Sequence, residues 1–109
     1  MQASEPRFCF ALATDDWGLT VFPSIEAAVS YCEALDVELG AWLFFDSDGT
    51  SLRPCIDIPT TGRFIISHGK YHLERDPKGK VLQDEMLNVA SVTGCGLTSL
   101  DDVLRLLRD

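Results

Sequence analysis

A chain of 109 residues with 46% hydrophobic side chains is sized for one domain with a sizeable core, which excludes a disordered tail protein. Its net charge of −8 provides no basic stripe to neutralise phosphates, so DNA and RNA partners are disfavoured. The longest apolar runs, such as AWLFF at 41–45, fall far short of the roughly 20 residues that cross a bilayer, and the start of the chain lacks the pattern of an export signal. A cytoplasmic chain without membrane contact is therefore expected.

RFCFALA at 7–13 alternates Phe8, Phe10 and Leu12 with smaller side chains, the period of a strand, and TDDWG at 14–18 turns the chain into a second short strand, LTVF at 19–22. Ser24 is placed to cap a helix whose inward stripe is Ile25, Ala28, Val29, Cys32 and Leu35. Asp36 would mark its end, leaving Glu33 and Asp36 near the negative end of the helix dipole, where carboxylates are disfavoured. AWLFFD predicts a central buried strand, DSDG at 46–49 a tight turn, and SLRPCIDI a strand that Pro54 pushes toward an edge or bulge.

PTTG at 59–62 turns the chain again, RFIIS and YHLER read as extended, and DPKG at 76–79 has the proline and glycine of a type I turn before a further extended stretch, KVLQ. DEMLNVASV is compatible with a helix or with another strand. Ser99 and Asp102 form a capping box ahead of a C-terminal helix with Leu100, Val103, Leu104 and Leu107 inward. The expected fold is a single α+β domain over 1–109: an antiparallel sheet or meander with helices packed mainly on one face.

Cys9, Cys32, Cys55 and Cys95 form no CxxC pair. Cys9 and Cys32 fall within apolar patterns, so free thiols are expected, the alternative being a disulfide framework in an exported protein. Aligning Asp46, Asp48 and Gly49 with an EF-hand loop puts Phe44 and Cys55 where oxygen ligands are required, so the calcium reading fails. His68 and His72 would need a cysteine from elsewhere to complete a zinc set, and neither metal nor cofactor is expected. Cys95, in TGCG, suggests an exposed loop or anion nest. Asp15 with Asp16 and Asp46 with Asp48 lie on turns, where wet carboxylates are better binding groups than catalytic ones, so no enzyme is expected.

The imbalance of charge belongs to one half. Residues 1–48 contain a single base, Arg7, whereas residues 49–109 are balanced. Such segregation favours a cationic protein partner, because complementary fields speed encounter. The candidate partner-binding residues are Asp15, Asp16, Trp17, Glu33, Asp36, Glu38, Asp46 and Asp48. Trp17 either anchors an interface or packs under its own turn.

Two phrases carry a resemblance. Glu33, Ala34, Leu35, Asp36, Val37, Glu38, Leu39 and Gly40, followed by Phe45, Asp46, Ser47, Asp48 and Gly49, resemble a helix-phrase of the form EAIDVENGEY and a FDADG hairpin. Both occur in small acidic bacterial immunity proteins that neutralise toxin domains of polymorphic or contact-dependent secretion systems. The likeness spans 24–54 and departs at Leu39, Ala41 and Trp42. It implies a cytosolic, non-catalytic inhibitor acting in a stoichiometric complex. Many such toxins are nucleases with basic clefts, to which an acidic inhibitor is complementary. A regulatory or adaptor domain with no toxin partner is the alternative.

Overall fold

A computed structural model of the chain describes residues 8–59 and 69–108. Among them are strands β1 (Cys9–Ala13), β2 (Gly18–Phe22), β3 (Trp42–Phe45), β4 (Ser51–Ile58), β5 (Lys70–Arg75) and β6 (Ser91–Thr93). They form one sheet in the order β5-β4-β3-β1-β2-β6. The helices are α1 (Ile25–Tyr31), α2 (Ala34–Glu38), α3 (Leu82–Glu85) and α4 (Leu100–Arg108), with a 3-10 turn over Met86–Asn88. The domain is α+β, as the sequence predicts. The turn residues beyond Pro59, the RFIIS stretch and His68 lie outside the described residues.

Side-chain alternation in the central strands sets the layering. Cys9, Ala11 and Phe44 join Ala28, Cys32 and Val37 on the α1–α2 side, whereas Phe10, Leu12 and Phe45 meet Leu82 and Val103 on the α3–α4 side. Consecutive residues of a strand point to opposite faces, so the adjacent Phe44 and Phe45 fill different cores. A strand covered on both faces reads as an unbroken apolar run, which accounts for CFALA and for the Phe44–Phe45 pair, whereas Leu43 is exposed. Each large side chain so buried contributes about 1.5–3 kcal/mol. The expectation of helices mainly on one face is thus corrected: apolar side chains on both faces require cover on both.

Antiparallel pairing holds from β2 through β1, β3 and β4 to β5, and within it β3, β4 and β5 succeed one another as the expected meander, whereas β3 lies beside β1 and not β2. Antiparallel pairing fails at β6, which runs parallel to β2, with Gly18 opposite Ser91. The extended reading of KVLQ is also corrected, because Leu82 opens α3 and is completely buried. The reason is topological. β5 and β6 occupy opposite edges, so the chain between them must cross a face of the sheet, and there it serves as a helical cover. Pro54 lies beyond Leu52, where the pairing of β4 with β3 ends, so its missing N–H interrupts no pairing with β3; a register shift follows between Ile56 and Ile58.

Ser24 caps α1, its hydroxyl accepting from the Ala27 N–H at 3.0 Å. The helix does not continue to Leu35. Cys32 is extended (φ −84°, ψ 110°), and the Tyr71 hydroxyl donates to the Cys32 carbonyl at 2.7 Å and to that of Val29 at 3.3 Å. Orphan carbonyls at the helix end thereby find a donor from β5. A second helix then starts, so Glu33 is the N-cap residue and Asp36 lies in the first turn of α2. This corrects the predicted dipole penalty, because both carboxylates sit at the favourable, positive end. Leu35 leaves the inward stripe and is 46% exposed.

α2 closes with a Schellman motif, in which Ala41 N–H donates to Asp36 O at 2.9 Å and Gly40 N–H to Val37 O at 3.1 Å. Gly40 adopts φ +80°, which is why the acidic phrase ends in glycine. At the other end of the chain the capping box forms, the Asp102 carboxylate accepting from Thr98 N–H and the Ser99 hydroxyl from Asp102 N–H. The Thr98 N–H and then the Ser99 hydroxyl, each hydrogen-bonding to the carboxylate, pull the Asp102 pKa down.

Candidate functional site

The eight predicted partner-binding residues do not form one surface. Asp15, Asp16 and Trp17 occupy the β1–β2 turn, which is tied to the end of α2 by Thr14: its N–H donates to Ala41 O at 2.9 Å and its hydroxyl to Gly40 O at 3.0 Å. Glu33, Asp36 and Glu38 therefore share this end of the sheet with Asp15 and Asp16. Asp46 and Asp48 do not. The antiparallel pairing of Phe10 with Phe45 and Ala13 with Trp42 puts the β3–β4 turn at the opposite end, about 10 Å of strand away.

Asp46 also differs in kind. It is completely buried, its Oδ2 accepts from Arg75 Nη1 at 2.6 Å, and its Oδ1 accepts from Ser47 N–H at 2.8 Å. The expectation of a wet turn carboxylate is corrected for Asp46: a guanidinium from β5 reaches over it. Asp48 is exposed and accepts from Thr50 N–H at 2.9 Å and from Arg75 Nη2 at 3.1 Å. The Thr50 backbone bond, followed by the Thr50 hydroxyl and Arg75, holds the Asp48 carboxyl at about 2. Both aspartates of DSDG thus organise their own hairpin.

Trp17 packs beside the α3–α4 core, partly buried, with φ 60°, a conformation that costs an L-residue roughly 1–2 kcal/mol. Of the two readings of Trp17, the geometry matches packing under its own turn. Asp15 and Asp16 accept backbone N–H groups of that turn, from Asp16 and Gly18 respectively, and remain exposed.

Around α2 the surface is different. Tyr31 ends α1 and is 65% exposed, yet its ring lies 5.4 Å from that of Phe22 and 6.5 Å from that of Trp42, edge-on to the latter. Leu35 and Leu39 are exposed on the same stretch as Glu33 and Asp36. A cleft of about 640 Å³ adjoins it, lined by Val29, Cys32, Glu33, Leu35, Lys70 and Tyr71. Burial, then Asp36, pushes the Cys32 thiol up to about 12, so the cleft holds no reactive thiolate. Sequence reasoning missed Tyr31. The available signal was a large aromatic off the inward stripe of its helix.

The four cysteines are free thiols. Cys95 is exposed and its Sγ donates to Val21 O at 3.4 Å. Gly94, Cys95 and Gly96 all have positive φ, whereas an anion nest requires alternating hands, so the predicted nest is not formed. Gly94 is obligatory there for a second reason: a Cβ would lie 2.2 Å from Val21 O. On the outer face of β4 and β5, His72 sits between Asp57 (Nδ1, 2.8 Å) and Glu74 (Nε2, 2.8 Å), with Cys55 alongside. Bonds to Asp57 and then Glu74 raise the His72 pKa. Among the described residues, Cys55, His72 and Glu74 are the group that could hold a metal ion.

No helix among the described residues is long and apolar enough to cross a membrane. Comparison with protein-family models, with curated proteins and with solved structures finds no match to this chain.

Proposed function

We propose that the chain is an immunity-type inhibitor that binds a basic bacterial toxin domain through α2 and the end of α1, and neutralises it by occlusion. The observation that carries this reading is Tyr31, 65% exposed but braced by Phe22 and Trp42, beside Leu35, Leu39 and a group of carboxylates. An aromatic already held in place loses little rotamer freedom on binding, and an apolar centre with a charged rim is the anatomy of a specific interface. The carboxylates steer and select a cationic partner. Of the two phrases resembling immunity proteins, the first lies on this surface. The second forms the Arg75-braced hairpin and acts as scaffold.

The test is co-expression with the variable C-terminal domain of a large secreted protein encoded immediately upstream. Protection of the cells and a stoichiometric complex are expected. Tyr31→Ala should weaken that complex by about 2 kcal/mol or more while leaving the fold intact by circular dichroism. Absence of both protection and complex would overturn the reading in favour of an adaptor domain.

A further inference from the structure

We propose that Cys55, His72 and Glu74 form a zinc-binding site on the outer face of the β4–β5 ribbon, with Asp57 as the positioning residue behind His72. The register assembles it. Cys55 pairs directly with His72, and Arg53 with Glu74, so alternate residues of two antiparallel strands project from one face. The ligand atoms of Cys55, His72 and Glu74 all lie within 4.8 Å of one another. Tetrahedral zinc, with bonds of about 2.0–2.3 Å, requires donors roughly 3.3–3.7 Å apart. His72 Nε2 and Glu74 Oε2, now 2.8 Å apart, must open slightly while any longer separations close, and side chains about half exposed, as these two are, do so by small rotamer changes.

The orientation of His72 points to a metal more specifically than proximity does. Both oxygens of Asp57 lie against Nδ1, at 2.8 and 3.0 Å, while Nε2 faces Glu74. A carboxylate on one ring nitrogen fixes the tautomer and presents the other as a ligand, the arrangement that supports metal-bound histidines. Thiolate, imidazole and carboxylate together suit zinc rather than calcium or magnesium.

The charges balance as well. Binding displaces the proton on His72 Nε2 and the Cys55 thiol proton, leaving neutral imidazole, thiolate and carboxylate around the dication, with water in the fourth position. Asp57 then leaves the cluster one negative charge, which Arg53, 3.3 Å from the other oxygen of Glu74, offsets. Three ligands and an open position resemble the coordination of a reactive or bridging zinc more than a closed structural one.

Metal-free protein titrated with Co2+ should develop a thiolate-to-cobalt charge-transfer band together with tetrahedral d–d bands, and Zn2+ should displace both. Cys55→Ser and His72→Gln should abolish the charge-transfer band while keeping the circular dichroism of the parent, and Cys95→Ser, at the other exposed cysteine, should leave it unchanged. Asp57→Asn should weaken binding about 10- to 100-fold. Absence of the band in the parent protein, or its survival in Cys55→Ser, would overturn the site and leave an ion-pair ladder. Parental affinity in Asp57→Asn would overturn the positioning role. The outcome is independent of any toxin partner.

Discussion

The two acidic phrases of the first half, 33–40 and 45–49, look alike in composition and behave as opposites. In the first, Glu33 and Asp36 stand exposed at the favourable end of a short helix, among exposed leucines. In the second, Asp46 is buried under Arg75, and Asp48 shares the same guanidinium. What separates them is a base supplied from far along the chain. A carboxylate that such a base reaches becomes part of the framework, whereas among the described residues no basic side chain forms a salt bridge with Glu33 or Asp36, which stand open to a partner.

The largest expected effect comes from removing that base. Arg75→Ala leaves the buried Asp46 carboxylate without its guanidinium and should cost about 3 kcal/mol in urea unfolding, at the low end for a broken buried pair because Arg75 is itself half exposed. A loss below about 1 kcal/mol would erase the distinction between the phrases. Next is Gly40→Ala. Its Cβ would meet open space, so only the left-handed backbone is penalised, by about 1 kcal/mol. A much larger loss would mean that the α2 cap carries packing as well.

The hairpin phrase can be sharpened by acid titration. The Asp48 pKa is lowered to about 2 in the folded chain, below the ordinary value near 3.8, so its stabilising contribution is present above the ordinary value and is lost as pH falls toward 2. In Arg75→Gln the Asp48 midpoint, followed by NMR, should rise yet remain depressed, because the larger cause, the Thr50 N–H, is retained. A full return to the ordinary value would instead assign the depression to Arg75.

The smallest effect on stability is expected at α2. Glu33→Gln with Asp36→Asn should change the unfolding free energy by no more than about 0.5 kcal/mol, as should the matched pair Asp84→Asn with Asp101→Asn. With the toxin domain in hand, the α2 pair should slow association in a salt-sensitive way and the control pair should not. Equal effects from both pairs would leave the acidity of α2 as solubilising surface. Glu85 is unsuitable for such a control, since it is buried and accepts from the Asn88 amide at 3.0 Å.

Much of this was legible residue by residue. The Ser24 cap, the DPKG turn, the capping box at Ser99 and Asp102, and the alternation of β1 each depend on groups a few positions apart, so local sequence determined them. The segregation of charge into residues 1–48 is likewise a property of the sequence. Tertiary structure decided the rest, because it depends on pairings between distant segments. The break after Tyr31 involves a hydroxyl from Tyr71, the burial of Asp46 a guanidinium from Arg75, and the meeting of Cys55 with His72 the register of β4 on β5. The parallel β6 follows from a chain that must cross the sheet to reach the free edge of β2. Backbone propensity and hydrophobic period carry no information about such partners, since each is set by how two surfaces pack and not by what lies next along the chain.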